Sequence, residues 1–169
     1  MRVLVPQALA QPVLRPMTRE DIPAVRAFEQ AACADASHAW SEENYRSSLS
    51  SGYWLRVCTL PGGQVVGVCV AMFGVDELHL LNIAVDRACQ GQGLASFMLD
   101  RLVDLCRAHR LATLWLEVRH SNQRARALYR SRGFVEVGLR RGYYPAAGPR
   151  EDAVVMKLAL PDGPAHDLV

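Results

Sequence analysis

The stretch Asp86-Arg-Ala-Cys-Gln-Gly-Gln-Gly-Leu-Ala95 decides how this 169-residue chain is read. It follows an apolar segment of strand character, Leu78–Val85, and opens into the clearest helical pattern in the sequence, Gly91–His109. Along that helix Leu94, Phe97, Met98, Leu102, Leu105 and Cys106 recur at helical spacing and form one apolar stripe. A loop that enters a helix in this way offers unpaired backbone N–H groups at the positive end of the helix dipole. Gly91 and Gly93 let the backbone approach a diphosphate without side-chain obstruction. A glycine turn that merely starts a helix has the same local pattern, so the loop alone leaves both readings open. A P-loop is excluded, because it needs Gly-Lys-Ser/Thr and no Gly-Lys pair occurs. A dinucleotide fingerprint fits less well, with Ser96 at its third glycine position and Asp86–Gln90 standing between strand and glycines.

Outward from the loop, the remaining segments read as one α/β domain over residues 12–160, with flexible tails at 1–11 and 161–169. Residues 12–17 suit a short edge strand flanked by prolines. Thr18, followed by Glu20 and Asp21, marks a helix start, and Ile22, Val25, Phe28 and Glu29 continue it. Ser41-Glu-Glu-Asn44 begins a second, short helix. Strands are expected at 54–59, 65–73 and 78–85, the second nearly all apolar and so buried on both faces. Beyond the central helix come a strand at 113–118, a helix capped by Ser121 and stopped by Gly133, and strands at 134–137 and 153–160.

Composition excludes several classes. The chain is 50% hydrophobic and 21% charged, which fits a folded globular domain and not a disordered one. Net charge is +2 and no Lys/Arg block occurs, so nothing argues for binding to nucleic acid or to a membrane surface. Five cysteines with no C-x-x-C pair fit a reducing cytoplasm and carry no zinc signature, and the scattered histidines suggest no metal site. The apolar N-terminal run is broken by Pro6 and Gln7, too early for a secretion signal. Charge is unevenly spread: residues 1–84 balance to −2 and residues 85–169 to +4.

Gln90-x-x-Gly93-x-Ala95 is similar to the Q/R-x-x-G-x-G/A signature of the GNAT N-acetyltransferases. Asn82-Ile-Ala-Val-Asp86, Leu116-Glu-Val-Arg-x-Ser-Asn122, Ala127-Leu-Tyr129, Gly133-Phe134, Tyr143-Tyr-Pro145 and Glu151-Asp-Ala153 extend the resemblance over roughly residues 13–160. It implies the GNAT acyl-CoA N-acyltransferase fold, a mixed, mostly antiparallel central sheet flanked by helices. It implies acetyl-CoA as acetyl donor, held by backbone groups of Ile83, Ala84 and Val85, by the loop residues Gln90, Gly91, Gln92, Gly93, Leu94, Ala95 and Ser96, and by Asn122. It also implies direct transfer to an amine, with Glu117 accepting the amine proton and Tyr129 protonating the departing thiolate. The implied acceptor is a protein N-terminus, the alanine of ribosomal protein S18, with Trp40, Tyr143 and Tyr144 lining the peptide path.

Read without the resemblance, these residues have plainer roles. Glu117, inside the apolar run Leu-Trp-Leu-Glu-Val, could be a strand-end carboxylate paired with Arg119. Tyr129 suits core packing, and Tyr143 and Tyr144 could cover a sheet edge from a loop. Cys89 beside the loop invites a nucleophile reading, which the resemblance replaces with direct transfer. The basic residue common beside the family's phosphate loop is absent at Gln90 and Ser96, leaving Arg87 or the backbone alone. Acetylation of lysine or of a small amine, and a CoA-binding module without turnover, are the other functions open to such a chain.

Overall fold

The computed structural model describes residues 11–33, 35 and 38–161. The expected tails therefore fall almost wholly outside the described residues. Among the described residues, seven strands are ordered β1-β2-β3-β4-β5-β7-β6 in one sheet. They are β1 (Val13–Pro16), β2 (Trp54–Thr59), β3 (Val65–Phe73), β4 (Glu77–Val85), β5 (Thr113–Arg119), β6 (Val135–Tyr144) and β7 (Glu151–Ala159). The α-helices among the described residues are α1 (Ile22–Ala32), α2 (Glu42–Ser50), α3 (Leu94–Ala108) and α4 (Gln123–Ser131). β1 with β2, β5 with β7 and β6 with β7 are antiparallel, while β4 with β5 is parallel. The parallel pair needs a crossover, and α3 supplies it.

Two compact units are distinguished: the described residues within Met1–Val68 and Ala84–Ala95, and those within Cys69–Ile83 and Ser96–Val169. In the first, Thr18 caps a single turn, Arg19–Asp21, that runs on into α1. Its backbone N–H donates to Asp21 Oδ2 at 2.8 Å, and Arg15 grips the same carboxylate with two bonds of 2.8 Å. Ile22, Val25, Phe28 and Glu29 are the buried residues of α1, the four that helical spacing selects. Ser41 caps α2 by accepting from the Asn44 N–H.

In the second unit, α3 buries Met98, Leu99, Leu102 and Cys106. Phe97 and Leu105, expected in the same stripe, are only half-buried. β5 alternates strictly, with Leu114, Leu116 and Val118 buried and Thr113, Trp115, Glu117 and Arg119 half-open. The buried cysteines Cys58, Cys69 and Cys106 pack as small apolar side chains, and burial pushes the thiols of Cys58 and Cys106 up to about 11. Among the described residues no helix is long and apolar enough to cross a membrane.

Three local expectations are corrected. Asn122, not Ser121, caps α4, its side-chain oxygen accepting from the Ala125 N–H at 3.2 Å. α3 starts at Leu94, so Gly91 and Gly93 belong to the loop before it. β6 does not stop at Val137 but runs to Tyr144, which puts Tyr143 and Tyr144 on a strand.

Candidate active site

The loop after β4 is a built structure. Asp86 caps a short turn, Arg87–Cys89, by accepting from the Ala88 N–H, and its own N–H donates to the Val66 carbonyl at 2.8 Å. The Gln90 side chain turns back and donates to the Val85 carbonyl at 3.2 Å, bracing the loop against the strand it leaves. Gly91 and Gly93 have φ of 76° and 82°, in the left-handed region where a β-carbon is strained. A β-carbon at either position would meet nothing within 4 Å. The glycines are thus required by backbone conformation, and the space beside them is open. Leu94 is turned into the core at 3% exposure, fixing the start of α3. The first N–H groups of that helix have no partner within it, so the loop fits a phosphate-bearing ligand. In the second unit, Arg132 at the end of α4 donates to the Ser96 carbonyl at 3.0 Å and to Asp100 at 2.6 Å, tying the first turn of α3 to α4.

Glu117 occupies a special register position. β4 pairs with β5 from Glu77↔Thr113 to Leu80↔Leu116, while β5 goes on pairing β7 through Glu117↔Val155 to Arg119↔Ala153. Glu117 therefore stands just past the end of the β4–β5 register, with its side chain on the half-open face. The expected partner, Arg119, is engaged elsewhere. It lies 3.2 Å from Glu151, donates to the Pro145 carbonyl and stacks on the Tyr144 ring at 4.4 Å. Glu117 instead meets Arg140 of β6, Oε1 to Nε, at 3.1 Å.

Tyrosines complete this cluster. Tyr143 and Tyr144 meet edge to face, their ring centres 4.9 Å apart. The hydroxyl of Tyr143 interacts with both Glu117 and Arg140, and burial and the Glu117 charge raise it above the usual phenol range. Tyr144 is raised further, by burial first and then by Glu117, with Tyr129 among its smaller influences. Tyr129 is buried on α4 against Phe134, ring centres 5.8 Å apart, and burial pushes its hydroxyl up to about 12. Glu151 is opposed by burial, but hydrogen bonds from Ser121 and Arg119 outweigh it and hold the carboxyl below its usual range. Spacing along the sequence assigns no role to Arg140 or Glu151, and pairs Arg119 with the wrong carboxylate. The string Glu151-Asp-Ala153 was the signal, since a carboxylate that opens a strand needs a partner.

Trp40 lies in the first unit, just before α2. Its backbone N–H donates to the buried carboxylate of Glu29, which also accepts from the hydroxyl of the buried Tyr45. The two rings are 5.3 Å apart, so Glu29 and Tyr45 together fix where the indole stands. Among the described residues no group of three or more His, Cys, Asp or Glu converges in a way that could hold a metal ion.

Residues 21–134 match the model of the acetyltransferase (GNAT) family. The chain is 41% identical over 140 residues to the [ribosomal protein bS18]-alanine N-acetyltransferase of Escherichia coli K12, covering 83% of this chain and 92% of that one. It is 38% identical over 144 residues to the protein of the same name from Salmonella typhimurium, covering 85% and 95%. The crystal structure of the ribosomal-protein-S18-alanine N-acetyltransferase from Escherichia coli superposes with a TM-score of 0.81 at 37% identity, over 94% of this chain and 99% of that one. A GNAT superfamily phosphinothricin acetyltransferase from Sinorhizobium meliloti, solved in complex with AcCoA, shares the fold at 20% identity and a TM-score of 0.75. A match across two-thirds of the chain, together with relatives this similar over nearly their whole length, identifies the chain as a member of the acetyltransferase (GNAT) family.

Proposed function

We propose that this acetyltransferase transfers the acetyl group of acetyl-CoA to the N-terminal α-amine of a protein, the alanine of ribosomal protein S18, in the cytoplasm. The observation that carries the reading is the cluster at the end of β5. There a carboxylate, Glu117, stands just past the β4–β5 register among Tyr143, Tyr144 and Arg140. Relatives 38–41% identical to this chain bear the name of that activity, and they are matched over nearly their whole length.

Acetyl-CoA supplies the activated thioester carbonyl. The glycine loop, from Gln90 to Ser96, offers backbone N–H groups for its phosphates. Ile83, Ala84 and Val85 offer strand-edge groups for the arm that carries the thioester, and Asn122 holds the turn that leads into α4. Attack requires the amine lone pair, so the amine proton must leave as the C–N bond forms. Glu117 accepts it. The C–S bond then breaks, and Tyr129 gives its hydroxyl proton to the sulfur. Burial pushes that hydroxyl up to about 12, so it carries its proton at neutral pH. An N-terminal amine titrates near ~8 and a lysine near ~10.4, so the carboxylate has less to do for the former. Trp40, Tyr143 and Tyr144 offer aromatic surfaces to the incoming peptide.

The test is steady-state kinetics with saturating acetyl-CoA and an alanine-initiated peptide. Glu117→Gln and Tyr129→Phe are expected to lower kcat by about 10²-fold or more while the thermal midpoint stays close to wild type. Wild-type kcat in both variants would remove the assignment.

A further inference from the structure

β6 carries an irregularity beside Glu117. From Arg140↔Ala153 to Tyr144↔Glu151 the strand advances four residues against two of β7. Gly142, inside the loop-out, has a φ of 58°. The feature is stapled: the Gly142 N–H donates to Asp152 Oδ1 at 2.9 Å, and Arg150 donates to the carbonyls of Gly142 and Tyr143. A bulge of this kind re-aims side chains. Arg140 and Tyr143 flank it, and both reach Glu117.

Arg140 Nε lies 3.1 Å from Glu117 Oε1, and its guanidinium stands 5.3 Å from the centre of the Tyr143 ring. The Glu117 side chain is 26% exposed and that of Arg140 57%. The carboxylate is thus set in the sheet, while the cation reaches it from the solvent side. An exposed pair of this kind is weak and readily exchanged. The cation that an amine-accepting carboxylate meets first is therefore the chain's own.

We propose that Arg140 is a specificity-determining residue: its guanidinium competes with an ammonium for Glu117, so the site takes its acceptor as the neutral amine and favours a protein N-terminus over lysine side chains and polyamines. The inference rests on the role given to Glu117 under the proposed function. Two physical effects act together. A protonated acceptor must displace Arg140 to reach the carboxylate. A fixed cation beside the bound amine also disfavours its charged form. An α-amine gives up its proton about two pH units below a lysine, so it loses least by this exclusion. Among the described residues, Tyr143 and Tyr144 on β6 are titratable groups that sense Glu117, and Arg119 on β5 and Tyr129 on α4 act in turn on Tyr144. Arg119 is held by Glu151 and the Tyr144 ring, and among the described residues Arg140 is the cation paired with Glu117.

The experiment uses the full chain with saturating acetyl-CoA, and measures kcat and KM from neutral to mildly alkaline pH. The acceptors are an alanine-initiated peptide, an N-blocked peptide with one lysine, and spermidine. Arg140→Met removes the charge and keeps the stem; Arg140→Lys restores a charge. In Arg140→Met, KM for the alanine peptide is expected to fall about two- to fivefold, the range an exposed ion pair commands. The rising limb of the kcat profile should move up by about 0.5 pH units or more. Activity on spermidine and on the lysine peptide should rise relative to the alanine peptide. Arg140→Lys should bring the limb back towards its wild-type position. An Arg140→Met limb and KM equal to wild type, or a uniform fall in kcat with the limb in place, overturns the inference alone. A wild-type chain that acetylates none of the three acceptors overturns it together with the proposed function.

Discussion

Glu117 shows how far a single residue can be read before its neighbours are known. A carboxylate in the run Leu-Trp-Leu-Glu-Val marks itself, because burial of that group needs a partner or a use. Its partner could not be found by spacing. Arg119 is two residues away on the same face of β5, yet it is committed to Glu151, and the cation at Glu117 comes from Arg140. That pairing exists only through the register of β6 on β7 and of β7 on β5, which no local pattern encodes. Asp21 is the opposite case, since its partners Arg15 and Thr18 are six and three residues away. Hydrogen bonds from Arg15, opposed by some burial, hold its carboxyl below the usual range. The folded value lies under the unfolded one, so Asp21 contributes stability above the ordinary carboxylate range and loses it as pH falls through its folded value. Asp21→Asn is expected to lower stability near neutral pH by about 1–2 kcal/mol. The gap from wild type should narrow below about pH 4, as followed by denaturant unfolding at several pH values. A gap that stays constant with pH would contradict this account of the pair.

Among the elements, those with a clean period were legible. α3 shows its stripe, β3 its unbroken apolar run, and α1 its four buried positions. β6 outruns the strand expected at 134–137 because it has no period to read. It is an edge strand, exposed at Val135, Val137 and Leu139, with register shifts at Glu136/Gly138 and Arg140/Tyr144 and glycines at 138 and 142. Bulges and glycines are turn signals in a sequence, and here they bend a strand. The loop before α3 was legible for a different reason: its chemistry is local, in two glycines and a helix start. Gly93→Ala tests it. Space is open at that position, so the cost is conformational, about 1–2 kcal/mol. The thermal midpoint should fall modestly, while KM for acetyl-CoA rises by a larger factor than KM for the peptide. Equal changes in both KM values would mean that the loop does not serve the donor.

For the molecule as a whole, near-neutrality conceals an uneven distribution of charge. Residues 85–169 carry +4 and include the glycine loop, while residues 1–84 carry −2. An anionic donor suits the first region. Donor binding should appear as stability, because a ligand that binds only the native state raises the unfolding free energy by about 2.7 kcal/mol at a hundred times its Kd. Thermal unfolding should therefore move upward with acetyl-CoA concentration, and less so as ionic strength is raised. The central claim, transfer to an N-terminal α-amine, is tested most directly by mass spectrometry of a single product. The full chain is incubated with acetyl-CoA and an alanine-initiated peptide that also contains one lysine, and the acetylated product is fragmented. The account predicts one acetyl group, on the α-amine of the alanine; an acetyl group on the lysine with the α-amine free would contradict it.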